Sequence, residues 1–209
     1  MLKDEIPEWL KWAREIMALS QTGLTFVQNE FEKDRYWRLM EIAAEMIASQ
    51  TNINKASLLE NFKIQQGYAT PKVDVRGAVI RDGKILLVQE RSDQKWSIPG
   101  GWADVGDLPS DMVVREVWEE SGFKVKPVRV IGIFDANRDG RPLELYHAYK
   151  IIFLCDIIGG SAKPGDETSA VEFYDFNKLP PLSLNRTNQR HLSEIIAHIK
   201  NPNRPAFFD

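Results

Sequence analysis

Apolar residues recur at helical spacing through the first third of the chain and at strand spacing through most of the rest. Pro7 stands where a first helical turn tolerates proline, and Trp9, Leu10, Ala13, Ile16 and Met17 follow at helical intervals, predicting a first helix that stops at Gly23. A second helix is expected from about Glu30 to Ser49, with Phe31, Trp37, Leu39, Met40, Ala43, Ala44 and Ile47 as its apolar positions. Asn54 is placed to cap a short third helix through Leu58, Leu59 and Phe62. The stretch Gln66-Gly-Tyr-Ala-Thr-Pro-Lys72 has no periodicity and carries Gly and Pro, so it reads as the linker.

Beyond the linker the period shortens. Val73–Ile80 and Lys84–Glu90 are strand-like runs joined by Arg81-Asp82-Gly83, an Asp-Gly hairpin signal. Val125–Ala136 and Leu143–Asp156 form a second pair around Asn137-Arg-Asp-Gly140, Val171–Phe176 is a further strand, and a last helix spans about Asn188–Lys200. Strands mixed with helices in this order indicate α/β or α+β architecture rather than an all-β sandwich. The organisation expected is a helical module over residues 1–66, a linker at 67–72 and a second domain at 73–209. Three short helices make a marginal core by themselves. The module is therefore expected to pack on the second domain, on another subunit or on both, with Trp9, Trp12, Phe26, Phe31, Tyr36 and Trp37 supplying core and interface.

Composition narrows the function less than the pattern does. A net charge of −3 is no footprint for tight nucleic-acid binding. Cys155 is the one cysteine, so no intrachain disulfide can form, and its apolar neighbours predict a small core residue. No stretch approaches the roughly 18 apolar residues of a membrane span. The acidic, Trp-containing start does not read as a signal peptide, so a cytoplasmic protein is expected.

The chemistry concentrates in Gly101-Trp-Ala-Asp-Val-Gly-Asp-Leu-Pro-Ser-Asp-Met-Val-Val-Arg-Glu-Val-Trp-Glu-Glu-Ser-Gly-Phe123. On a helix Glu116, Glu119 and Glu120 fall within an arc of roughly 100°, with Val114, Val117 and Trp118 expected on the buried side. Most acidic clusters are solvated faces. Unpaired carboxylates this close repel one another, however, and hard divalent cations would offset that repulsion. The segment resembles the Nudix box, G-x5-E-x7-R-E-U-x-E-E-x-G-U with U a bulky apolar residue. Gly101, Arg115, Glu116, Val117, Glu119, Glu120, Gly122 and Phe123 match in register. One position departs: Asp107 stands where the family has Glu, one methylene shorter.

The resemblance implies the Nudix fold, a mixed sheet sandwiched by helices, and hydrolysis of a phosphoanhydride with Mg²⁺ or Mn²⁺. It implies Glu116, Glu119 and Glu120 as metal ligands, with the main-chain carbonyl of Gly100. Arg115 is read as an internal partner of the carboxylates that orients the helix. In many Nudix enzymes the general base comes from a loop before a late strand; here that loop carries Glu167, as base or additional ligand, with Glu120 as the competing base. Glu172 reads as surface or structural. Arg91, Trp102 and Asp104 are candidate substrate contacts, and Trp96 a core or pocket-wall residue. His147 is expected to be a hydrogen-bonded strand histidine, and His191 and His198 ordinary surface residues.

The box does not name the group beyond the diphosphate. The N-terminal segment and Pro99–Gly106 resemble a bacterial Nudix subgroup of CDP-choline and ADP-ribose pyrophosphatases. CDP-choline is the first expectation and ADP-ribose the alternative. A choline headgroup would need aromatic faces for cation–π attraction. Action on RNA ends is a further reading, against which the acidic balance counts. A non-catalytic nucleotide-binding regulator is another, against which the intact glutamates count. The apolar, undersized module predicts a two-fold homodimer.

Overall fold

The computed structural model describes residues 7–136 and 146–209. They fall into two compact units, one running to Pro71 and taking in Tyr146, the other Lys72–Ala136 with His147–Asp209. The expected turn at Asn137–Gly140 and the strand start at Leu143 lie outside the described residues.

The first unit is helical: α1 Glu8–Phe26, α2 Glu30–Gln50 and α3 Lys55–Ile64. Asn29 and Asn54 cap the second and third helices by accepting from the N–H two residues on. Leu10 and Ala13 meet Met40, Ala44, Ile47, Leu58 and Phe62 in one core. The first helix does not stop at Gly23. A Cβ there would lie 2.4 Å from the Tyr36 ring, so this glycine lets α1 and α2 approach closely instead of ending the helix. The segment expected as a linker is strapped to α1: Gln21 Nε2 donates to Gly67 O, and Gly67 and Ala69 N–H donate to the hydroxyls of Thr25 and Thr22.

The second unit is built on β1 Lys72–Arg81, β2 Lys84–Glu90, β3 Trp96–Ser97, β4 Gly100–Trp102, β5 Phe123–Asp135, β6 Ala148–Gly160, β7 Thr168–Asp175 and β8 Phe207–Phe208. Among the described residues the strand order is β3-β2-β1-β6-β5-β8, with β4 also on β1 and β7 on β2. The sheet is mixed, because β1–β6 and β5–β8 run parallel and the remaining pairs antiparallel. Asp82 and Gly83, at φ of 53° and 73°, make the predicted tight turn between β1 and β2.

Alternation along β1 sends Val75 and Val79 to one face and Ala78 to the other. On the first face α4, Pro109–Ser121, adds Met112, Val113 and Val117, and Cys155 is buried there as expected. On the second α5, Gln189–Lys200, adds Leu192 and Ile195. Helices thus cover both faces. Each such Leu, Ile or Val contributes about 1.5–3 kcal/mol on burial.

Two histidines expected at the surface are buried. The His191 N–H donates to the Asn188 side chain, the Asn188 N–H donates to His191 Nδ1, and the ring packs edge-on against Phe134 at 4.9 Å. His198 has no exposed area, and Arg129 donates to its carbonyl. His191, Leu192, Ile195 and His198 form the stripe of α5 that faces the sheet. The short strands β3, β4 and β8 carry too few residues to show any period, and β6 continues past Asp156 to Gly160.

Candidate active site

Helix α4 carries the glutamates and stands against β1 and β4. Pro109 opens it, and Gly122 closes it in the left-handed region at φ 75°, returning its N–H to Trp118 O. Val117 is buried and Val114 packs against the core as predicted, but the edge of the buried face is shifted. Trp118 is 52% exposed, whereas Glu120 is 7% exposed. Glu120 lies seven residues, about two turns, after Val113 and so follows the same buried line. The three glutamates therefore straddle the edge of the core face, with Glu120 turned into the protein.

Glu120 Oε2 accepts the Gly100 N–H at 2.8 Å. Burial pushes its carboxyl up to about 8, with the carboxylates of Glu90 and Glu116 adding to the rise and Arg76 and the Gly100 N–H opposing it. Glu116 is also raised, by burial and then by Glu119, against the pull of Arg115. Negative charge is thus gathered where it is poorly solvated. A divalent cation among these oxygens would relieve the repulsion, and an all-carboxylate donor set suits Mg²⁺ or Mn²⁺. The glycines leave room for such a cluster: a Cβ on Gly101 would meet Glu116 Oε2 at 2.7 Å. The donors fit the ion chemically, although among the described residues no three such side chains already converge on one point.

Glu167 comes to the same place from another element. It lines a cleft of about 800 Å³ together with Glu116, Glu119, Glu120, Trp118 and Lys163. Its loop is fastened to the box helix: Thr168 Oγ1 donates to Glu120 O and accepts from Gly165 N, while Glu167 O accepts the Arg91 N–H at 2.9 Å. Arg91 thus touches the site through its backbone. Glu172 sits on β7 and accepts from Tyr174.

Arg115 faces the lead-in loop. It donates to Asp107, and to Asp104 at 3.0 Å, with Glu116 Oε1 at 3.6 Å. Asp107, the departure from the family pattern, is therefore an arm of the brace between loop and helix. Asp104, expected to face substrate, shares that brace. Trp102 is half exposed at the end of β4, and Trp96 lies in the core against Tyr174. His147 precedes β6 instead of lying within it, and its Nε2 stands 3.3 Å from Asp135.

A buried polar network under the glutamates escaped the sequence reading. Asp74 receives Arg76 Nε at 2.8 Å and Nη2 at 2.9 Å, and Lys150 Nζ lies 3.6 Å away. Burial opposes the Asp74 charge, but Arg76 and Lys150 hold its carboxyl below the usual range. Ser97 donates to Glu90, which also pairs with Arg186. The available signal was charge at core positions of apolar strands, namely Asp74 and Arg76 on β1 and Lys150 on β6.

A mixed sheet between helices, with a glutamate-bearing helix aimed into an open cleft, defines a pyrophosphohydrolase of the Nudix class. Residues 71–195 match the NUDIX domain family, and residues 7–62 match the family described as UDP-X-like, N-terminal oligomerisation domain. The chain belongs to the Nudix hydrolase family. It is 37% identical over 202 residues, 97% of each chain, to the Bacillus subtilis (strain 168) protein provisionally named ADP-ribose pyrophosphatase YjhB. A crystal structure of an ADP-ribose pyrophosphatase from Streptococcus suis 89-1591 matches with a TM-score of 0.59 at 36% identity, over 67% of this chain and 100% of that one. A crystal structure of UDP-X diphosphatase matches over 97% of this chain and 98% of its own, with a TM-score of 0.62 at 29% identity.

Proposed function

We propose that this pyrophosphatase cleaves a nucleoside diphosphate linked to a second moiety, with ADP-ribose the first substrate to test. The observation that carries the reading is the gathering of Glu116, Glu119, Glu120 and Glu167 around one cleft. The relatives named for ADP-ribose support the choice of moiety. Exposed Trp118 at the cleft favours CDP-choline as a second reading, because an indole face attracts a quaternary ammonium.

Glu116, Glu119 and Glu120 offer carboxylate oxygens, and Gly100 a carbonyl, to Mg²⁺ or Mn²⁺. Held there, such an ion would neutralise diphosphate charge and lower the pKa of water. Arg115 holds the lead-in loop against the helix, so these oxygens keep their spacing. The Glu167 carboxylate takes the proton of the attacking water as its oxygen bonds to phosphorus. The bridging P–O bond breaks, and the products are a nucleoside monophosphate and the phosphorylated moiety.

The helical module joins two copies of the chain. Its matched family is described as an oligomerisation domain. Leu19, Phe26, Tyr36, Leu39 and Tyr68 line an open groove of about 710 Å³ on it, which is apolar surface suited to a second copy.

The test is a hydrolysis panel of ADP-ribose, CDP-choline, UDP-sugars, nucleoside triphosphates and a short RNA, with Mg²⁺, with Mn²⁺ and with EDTA. Turnover of diphosphate-linked compounds that EDTA abolishes is expected. Turnover of triphosphates alone, or turnover that survives EDTA, would overturn the reading.

A further inference from the structure

We propose that Arg76 is a positioning residue of the pyrophosphatase, clamping the short strand that presents Gly100 to the divalent cation. The inference rests on the metal-dependent reading of the cleft. Arg76 stands directly opposite Gly100 in the β1–β4 register, and the next N–H along, that of Gly77, donates to Pro99 O at 2.9 Å. Its side chain is 5% exposed and has both sides of the guanidinium engaged. Nε and Nη2 grip Asp74, while Nη1 donates to Ile98 O at 3.1 Å, two residues before Gly100. The other polar group of Ile98 is held too, since its N–H donates to Thr187 Oγ1 at 2.8 Å.

The geometry leaves the strand no slack. A Cβ on Gly100 would lie 2.0 Å from Val75 O, and Gly100 sits at φ 144°, where side chains are strained. Its N–H is spent on Glu120. The Gly100 carbonyl is therefore aimed by its neighbours, and two residues upstream the Arg76 guanidinium anchors the Ile98 carbonyl. Lysine cannot reproduce the hold, because a single ammonium cannot grip a carboxylate in two places and reach a carbonyl on its third side. Lys150 is a buried cation of the same network, but its carbonyl acceptors are those of Asn185 and Arg186, where that of Arg76 is Ile98. That contrast separates aiming the strand from merely filling the network.

The experiment measures Mn²⁺ affinity by titration calorimetry on the full chain, beside thermal melting, for wild type, Arg76→Lys, Arg76→Met and Lys150→Met. Outer partners of metal ligands typically govern affinity by about 10–100-fold. The Mn²⁺ Kd is expected to rise about tenfold or more in both Arg76 variants. It should stay within about twofold in Lys150→Met, although that variant also melts lower. Wild-type affinity in the Arg76 variants overturns the inference, as does an equal loss in Lys150→Met. Failure of both Arg76 variants to fold would show a structural role only and overturn it as well. A wild-type protein that binds no Mn²⁺ instead removes the metal-dependent reading on which the inference stands.

Discussion

Glu120 is under two opposed demands. It lies on the core line of its helix, where burial disfavours charge, and it is one of the oxygens proposed to hold a cation. Glu120→Gln preserves the shape and the acceptor for the Gly100 N–H while removing the charge. It is expected to lower kcat by about 10² or more and to leave the melting temperature unchanged or higher, since a desolvated carboxyl is lost. Steady-state kinetics and a melt on one sample check both halves. Glu167→Gln should lower kcat more than it alters KM, because a base acts mainly in the transition state. A wild-type pH–rate profile in that variant would move the base to the box helix. At Gly100 any side chain meets the Val75 carbonyl. Gly100→Ala is expected to cost at least about 2 kcal/mol in denaturant unfolding.

Two attachments between elements decide whether the site holds together. The loop before β7 hangs on Thr168, whose hydroxyl joins Gly165 to the last turn of α4. Thr168→Val keeps the volume and removes both bonds, so it should cost about 1–2 kcal/mol of stability. A several-fold fall in kcat is expected as Glu167 loosens, and an unchanged kcat would show that the loop is held otherwise. On the other face, α5 carries His198 inward. Burial, then Arg129 and Arg204, lower its pKa. The native state then binds fewer protons than the unfolded chain, so the stability tied to His198 is complete above about pH 6.5 and lost as pH falls below it. Melting curves from pH 8 to pH 5 should drop more steeply for wild type than for His198→Gln. Parallel curves would refute this account.

At the scale of the molecule, the helical module is the unit with surface to spare. Leu19 is 62% exposed and Phe26 68%, although both belong to α1, which already has a core face. Introducing charge with Leu19→Glu and Phe26→Glu should convert the proposed dimer to monomer in light scattering. The module should stay helical by circular dichroism, because neither side chain supports the internal core. A wild-type monomer would remove the proposed dimer, and a double variant that still dimerises would locate the interface elsewhere.

The local patterns were the most legible. Helical spacing around Leu10, Ala13, Met40 and Ile47, the Asn54 cap and the Asp82-Gly83 turn depend on neighbours within a few residues, and the structure agrees with them. The box was legible for the same reason: one helix and its Gly122 cap lie in a single stretch of chain. What the helix faces was not. Trp118 was expected inside and Glu120 outside, because apolar residues normally take the core; the structure reverses them. Only the tertiary packing of α4 on β1, β4 and β5 determines which arc is covered. The buried histidines of α5 depart from the sequence expectation likewise. The chain by itself determined its longer helices and strands, the membership of its second unit in the Nudix family and the identity of the clustered carboxylates. Tertiary structure alone decided that Arg115 braces Asp104 and Asp107, that Thr168 fastens the Glu167 loop, and that Arg76 and Lys150 both pair with Asp74 beneath the site. These residues lie up to about 76 positions apart along the chain. Their pairing follows from strand register and from the cost of burying an uncompensated charge, neither of which is written in local sequence.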